Sequence, residues 1–192
     1  MEERSSVRKY KRGEKIPRET LEKVLKMAGT APSAWNLQHW KFVVVEDQTR
    51  KDELVPIAYG QEQVSDASAV IIVLGDTEAD QNGEIVYKDA PTEVKETLLG
   101  NIKQAYENVP NFAVDEAIRN ASFAAMQLML AAKALDLDTC PIGGFDRDAI
   151  VEKLNIPQRY LPSMMITIGY AAAPAHPTDR FSLDEIVVNE RF

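Results

Sequence analysis

Ala31-Pro32-Ser33-Ala34-Trp35-Asn36-Leu37-Gln38-His39-Trp40 is the stretch around which the rest of the chain arranges itself. It follows an amphipathic helical pattern on Leu21, Val24, Leu25 and Ala28 and precedes a strand-like run, Phe42-Val43-Val44-Val45. Proline and small residues at its start break the helix and require a tight connection. Both tryptophans of the chain lie within it, with Asn36 and Gln38 between them. Large aromatics beside carboxamides suit a pocket for a flat, heteroatom-rich ring, offering π faces for packing and amides for edge recognition. The same residues also describe a buried turn that anchors helix to strand.

Working outward, Pro17 sits where a first-turn proline belongs, with Glu19 and Glu22 favouring a helix N-terminus, so a helix runs from there to about Ala28. After the strand 41–45, a second helix opens at Gln48 or Thr49 and runs through Ile57 with Leu54 inward. The polar connection 60–66 leads to Ala69-Val70-Ile71-Ile72-Val73-Leu74, an apolar, β-branched run of strand length that reads as a central strand buried on both faces. Residues 76–111 differ: an acidic, turn-rich opening precedes a helical pattern over 92–106 with Val94, Leu98, Leu99 and Ile102 on one side. This segment reads as a surface excursion or a cover over a site. From Val114 to Leu135 the pattern is strongly helical, with Ala117, Ala121, Ala124, Ala125, Leu128, Ala131, Ala132 and Leu135 forming a face of small side chains. Such a face suits close packing in a core or at a subunit contact, and not the holding of a cofactor. Asp138 to Asp146 gives a short strand, a Gly143-Gly144 turn and an Asp146 helix cap. Pro162 leads into another central strand, 163–170, and a proline-punctuated linker, 171–177, precedes a tail too poor in apolar residues to fold on itself.

The 192 residues are 45% hydrophobic and 27% charged, a composition that fits one globular domain with a substantial core. A net charge of −8 argues against general attraction to nucleic acid or anionic membrane. No apolar run approaches the roughly 20 residues of a membrane span. With no secretory signal pattern and a lone Cys140, the expected compartment is the cytoplasm. Against this acidic background, Arg4-Ser5-Ser6-Val7-Arg8-Lys9-Tyr10-Lys11-Arg12 places five basic residues within nine. Arginines with neighbouring serines and backbone N–H groups make a phosphate clamp; the alternative is a solvated N-terminal arm. The adjacent Gly143 and Gly144 permit a backbone approach that any Cβ would block, or simply a tight turn. The sequence holds no dinucleotide fingerprint, P-loop or nucleophile elbow, and two histidines with one cysteine exclude the usual zinc sets. His39 and His176 read as structural or exposed. A phosphate clamp and a ring pocket without nucleophile or metal point to chemistry carried by an organic cofactor.

These pieces together resemble the FMN-dependent nitroreductase family over essentially the whole chain. The resemblance rests on Arg4-Ser5-Ser6-Val7-Arg8, on Ala31 to Phe42, on Asp66-Ala67-Ser68 before a buried strand, on Pro141-Ile142-Gly143-Gly144-Phe145-Asp146 after the long helix, and on Arg180. It implies one nitroreductase-like α+β domain over 1–192, with a mostly antiparallel central sheet flanked by helices, forming an intertwined homodimer with two FMN sites at its interface. Residues 76–111 would be a variable cover segment, and 178–192 an arm reaching the partner subunit. By the same resemblance, Arg4, Ser5, Ser6 and Arg8 hold the FMN phosphate and ribityl chain, with Arg180 as a second phosphate cation. Pro32, Ser33 and Asn36 meet the flavin from the other subunit, Gly143 and Gly144 place N–H groups beside N5, and Gln61 is a candidate for the pyrimidine edge.

Three departures stand out. His39 replaces the usual proline before the tryptophan, Thr178 replaces a second basic phosphate ligand of some members, and Gly143 replaces a glutamate of others. The resemblance implies a ping-pong cycle in which NADH or NADPH reduces the flavin and leaves, and a nitroaromatic, quinone or similar flat acceptor is then reduced in the same space, with no obligatory acid or base from the protein. Alternatives are a specialised flavin enzyme (a reductive dehalogenase or one that fragments its flavin) and a non-catalytic flavin-binding storage or sensor protein.

Overall fold

β2 (Ala69–Asp76) is buried at every position and forms the spine of the computed structural model, which describes residues 3–192. It pairs antiparallel with β1 (Trp40–Val45) on one side and with β4 (Tyr160–Gly169) on the other, and β4 carries β3 (Asp138–Ile142) at the far edge. The sheet order is β1-β2-β4-β3, all antiparallel. The expected start of β4 after Pro162 moves: the strand begins at Tyr160 and takes Pro162 into its ladder. Register slips between Val73 and Leu74, so that Ser163 is the extra residue of a bulge. Proline lacks an N–H to donate, and a bulge is where a ladder tolerates that loss.

Alternation along β2 builds two cores. Ala69, Ile71 and Val73 face α1 (Arg18–Ala28) and α6 (Phe112–Lys133), joining Leu21, Val24, Ala121, Ala124, Ala125 and Leu128. Val70, Ile72 and Leu74 face the opposite way, towards Leu54 and Ala58 at the end of α2 (Gln48–Ile57) and Ile150 of α7 (Arg147–Leu154). The alanine face of α6 brings backbone against backbone: a Cβ at Gly75 would stand 2.5 Å from the Ala117 carbonyl oxygen. The other side of α6 leaves Val114, Ile118, Phe123 and Met126 exposed. Among the described residues no helix is long and apolar enough to cross a membrane.

Residues 76–111 are a brace. Asp76 is no surface acid; it ends β2 fully buried, paired through both carboxylate oxygens with Arg159 Nε (2.9 Å) and Nη2 (2.7 Å). Beyond it, a 3₁₀ turn at Ala79–Asn82, α4 (Gly83–Val86) and α5 (Thr92–Asn108) pack onto the Ala31–Trp40 connection. Asn82 Nδ2 donates to the Leu37 carbonyl (2.9 Å) and Tyr87 Oη to that of Trp35 (2.7 Å). His39 Nε2 meets Tyr106 Oη at 3.0 Å. Leu37, Ala79 and Ile102 form the small core between them, capped by the Trp35–Phe112 and Tyr106–Phe112 ring contacts. Of the expected α5 stripe only Ile102 is fully buried, while Val94 is exposed. The tail beyond the linker, including α8 (Leu183–Ile186), is exposed, and Phe181, Leu183, Ile186 and Phe192 leave most of their apolar surface open.

Two outcomes follow from this packing. Gly75→Ala pushes a methyl into the α6 backbone, which has no flexible end to give way, and should lower stability by about 1–3 kcal/mol in urea unfolding. Burial lowers His39 from its usual 6.5 to about 4, with Asp76 pulling the other way. The unfolded chain therefore binds a proton in a window where the native state does not, and stability falls as pH drops from about 6.5 to about 4, by up to about 1.4 kcal/mol per unit. Unfolding midpoints across that range should lose this slope in His39→Leu; an unchanged slope would show that other groups set the acid limit.

Candidate functional site

The N-terminal arm lies along the β3 edge because Ser6, Val7 and Tyr10 anchor it. Ser6 bridges Thr139, the Val7 N–H donates to the Thr139 carbonyl at 3.0 Å, and Tyr10 bridges Ala171. Val7 and Tyr10 are buried against Ala67. Tyr10 Oη lies 2.9 Å from the hydroxyl of Thr167, the β4 residue paired with Cys140, and burial raises its pKa. With those two side chains turned inward, Arg4, Ser5 and Ser6 are half-buried and Arg8 is exposed. Their positions are reported by Cys140: burial pushes its thiol up, while the charges of Arg8 and Arg4 and a hydrogen bond with Ser6 act against it.

The five basic residues of the arm do not act alike. Arg12 is paired with Asp66 (3.2 Å) and Asp52 (3.5 Å), and Lys11 lies 3.8 Å from Glu14. Arg4 and Arg8 have no carboxylate within ion-pair distance among the described residues. Arg4 Nη1 is buried and has no hydrogen-bond partner among them. A buried guanidinium donor left unpaired is costly, so this nitrogen is an observation that asks for an acceptor.

Gly143 and Gly144 follow directly on β3, at the same edge of the sheet as the arm. Neither has a positive φ, and an added Cβ at either would meet nothing within 4 Å. Packing within the subunit and backbone strain therefore both fail to explain two glycines here; they leave an open, N–H-bearing surface. The turn is pinned on one side by Asp146, whose N–H donates to the Ile57 carbonyl (2.9 Å) and whose side chain caps α7 through Ala149 N. On the other side Gln61 Nε2 donates to the Gly144 carbonyl at 3.0 Å.

Pro32, Ser33 and Asn36 form the second group. Ser33 Oγ accepts from Gln38 N (3.0 Å), and the buried Asn120 of α6 accepts from Ala34 N (2.9 Å). Trp35, Asn36 and Gln38 all have positive φ, of 48°, 54° and 53°. Three left-handed residues within four positions, none of them glycine, are unfavourable by roughly 1–2 kcal/mol each, and the carbonyl bonds from Tyr87 and Asn82 hold them there. The result is a rigid loop that presents Pro32 and Asn36 to solvent. The tryptophans divide: Trp40 is buried in the α1–α6 core, and Trp35 packs on the brace. Asn120, Tyr87 and Asn82 hold the backbone of the candidate loop and Gln63 holds the side chain of Gln61, and sequence reasoning did not single them out.

One subunit does not bring the two groups together. The loop feeds β1 and the glycines follow β3, at opposite edges of a four-stranded sheet, with three inter-strand spacings of about 4.8 Å between them. Arg180 is also apart: its side chain bonds only locally, to Thr178 Oγ1 (2.9 Å) and the Asp179 carbonyl (2.8 Å), in the exposed tail. A cavity of about 580 Å³ between α1 and α6, lined by Met27, Thr30, Gln127 and Leu130, contains none of the candidate residues. Among the described residues no three His, Cys, Asp or Glu side chains are grouped to hold a metal.

Comparison with known proteins matches this geometry to a family. The model of the nitroreductase family aligns with residues 1–170. The Bacillus subtilis protein named "Putative NAD(P)H nitroreductase YodC" is 47% identical over 95% of this chain and 93% of its own length. The Lactiplantibacillus plantarum protein named "CLA biosynthesis enone reductase" is 36% identical over 91% of this chain and 86% of its own length. A crystal structure of a "putative nitroreductase in complex with FMN" from Exiguobacterium sibiricum superposes with a TM-score of 0.90 at 36% identity, covering 97% of this chain and 93% of that one. The α+β fold with its antiparallel sheet is the fold of these structures, and the chain belongs to the nitroreductase family.

Proposed function

We propose that this protein is an FMN-dependent oxidoreductase that draws reducing equivalents from NADH or NADPH and delivers them to a flat, electron-poor acceptor. The observation that carries the reading is Arg4 Nη1, a buried donor without a partner among the described residues, beside Ser6 and Arg8. A phosphate monoester supplies the acceptor oxygens that this nitrogen lacks, and Arg8, Ser5 and Ser6 meet its remaining oxygens. Arg180, carried on the tail, adds a second cation.

When bound, FMN supplies the ring that accepts and donates hydride. The chain's own part is binding and electrostatics. Gly143 and Gly144 offer backbone N–H groups where reduction increases negative charge, at no cost in reorganisation because the turn is already pinned. Pro32, Ser33 and Asn36 complete the site from a second copy of the chain, which accounts for their placement at the opposite sheet edge. The exposed apolar side of α6 and the unpacked tail are the surfaces that such a homodimer covers. No side chain need serve as acid or base, and His39, buried against Tyr106, is placed for packing. The acceptor class is nitroaromatics and quinones; the relative named for enone reduction adds α,β-unsaturated carbonyls.

An anaerobic visible spectrum of the FMN-reconstituted protein should bleach on addition of NADH or NADPH and recover with a quinone, nitroaromatic or enone. Bound flavin that resists both nucleotides would sink the proposed donor, and failure to retain FMN would sink the cofactor. Arg4→Ala and Arg8→Ala should each weaken FMN binding by about 1.5–3 kcal/mol in a fluorescence titration, roughly tenfold to a hundredfold. Arg12→Ala, whose charge is spent on Asp52 and Asp66, should leave that affinity unchanged.

A further inference from the structure

Gln63 is buried at 7% exposure on α3 (Gln63–Asp66), a single helical turn between α2 and β2, where a large polar side chain requires a reason. Its Nε2 donates to Gln61 Oε1 at 3.0 Å. Gln61 Nε2 in turn donates to the carbonyls of Ala58 and Gly144, each at 3.0 Å. Two carbonyl acceptors on one end and a donor on the other leave the Gln61 amide a single satisfied orientation. The turn carrying Gln63 is itself fixed, because the buried Lys51 Nζ donates to the Ala67 carbonyl just past its end (2.5 Å). A fixed line of hydrogen bonds thus runs from α2 and α3 to the Gly144 carbonyl.

That carbonyl matters because glycine leaves its own peptide planes free to turn. An added Cβ at Gly143 or Gly144 would meet nothing within 4 Å, so the bond from Gln61 anchors the peptide between Gly144 and Phe145 and, through it, the end of the turn from which the Gly143 and Gly144 N–H groups project. We propose that Gln63 is a positioning residue which, through Gln61, holds the Gly143–Gly144 backbone donors in the orientation that favours reduced flavin, and so tunes the redox potential of the bound cofactor. This rests on the flavin reading above. It also changes the part expected of Gln61: both of its amide donor bonds are spent inside the subunit, which makes it a holder of the glycine turn and not a reader of the pyrimidine edge.

The chemistry suggests the variants. In Gln63→Glu a carboxylate faces Gln61 Oε1; the amide of Gln61 must turn over to donate to it, which presents its oxygen to the Gly144 carbonyl and breaks that bond. Gln63→Met keeps the length and removes the donor without the repulsion. The experiment measures FMN affinity by titration and the midpoint potential of the bound flavin by dye-equilibrated reduction, for the native protein and both variants. The expected result is a lower potential, larger for Glu than for Met. The Glu variant should lose about tenfold in affinity for reduced relative to oxidised FMN, which is about 30 mV for a two-electron couple. Unchanged potentials in both variants, with FMN still bound, would overturn the proposal while leaving the flavin reading intact. Equal weakening of oxidised and reduced FMN would overturn it too, assigning Gln63 a merely structural part. A native protein that binds no FMN would overturn both readings together.

Discussion

Contact between the backbones of β2 and α6 is the constraint on which the other elements depend. Gly75 lies against the Ala117 peptide so closely that a single methyl cannot be inserted, and the alanines at 121, 124 and 125 continue the approach along the helix. A helix this near to the sheet fixes the height of everything resting on it. α1 packs in the same core, and Asn120, one turn beyond Ala117, reaches the amide of Ala34 in the functional loop. The buried Asn120 is held by Glu116, whose carbonyl and carboxylate both accept from its amide. The register between sheet and helix is thereby passed to Pro32, Ser33 and Asn36 through one side chain.

The same loop shows how strain is stored and offset. Its left-handed residues carry ordinary side chains, so the backbone would relax if left alone. Relaxation is opposed from three directions: Asn120 from α6, Tyr87 and Asn82 from the brace, and the Leu37 side chain fully buried under Ile102 and Ala79. Residues 76–111 are therefore attached to the functional loop by backbone-directed hydrogen bonds and aromatic packing, unlike a lid, which needs few such ties in order to move. His39 belongs to this arrangement. Its imidazole supplies a partner for the Tyr106 hydroxyl, a tie to the brace that an apolar side chain could not make.

Much of this was legible in the sequence where periodicity carries the information. β2 announced itself as an unbroken β-branched run, α6 by its alanine spacing, and the cap at Asp146 by residue type before a helical pattern. The clamp residues and the glycine pair were visible as local motifs. What escaped were interactions joining residues far apart through one side chain and one carbonyl. Tyr87 to Trp35 spans 52 residues and Gln61 to Gly144 spans 83, and neither leaves a periodic trace. Asp76 was read with the acidic run after it because its buried partner, Arg159, lies 83 residues away. The bulge that admits Pro162 into β4 is likewise a property of the pairing, not of either strand alone.

Charge completes the argument about the site. A protein of net charge −8 repels a phosphate at long range, so any anion it holds must be met by cations that are locally unneutralised. The arm achieves this by sorting its own basic residues. Arg12 and Lys11, beyond the Tyr10 anchor, are matched to carboxylates, whereas Arg4 and Arg8, before it, have no carboxylate partner among the described residues. The anchors decide the sorting: Val7 and Tyr10 turn inward on the β3 edge, and the extended backbone between them fixes which side chains stand on the open side. The same β3 edge continues into the glycine turn, so that free cations and free N–H donors share one border of the sheet. In the proposed reading, phosphate and ring are held along that single border, and the braced loop of a second copy closes the site from outside.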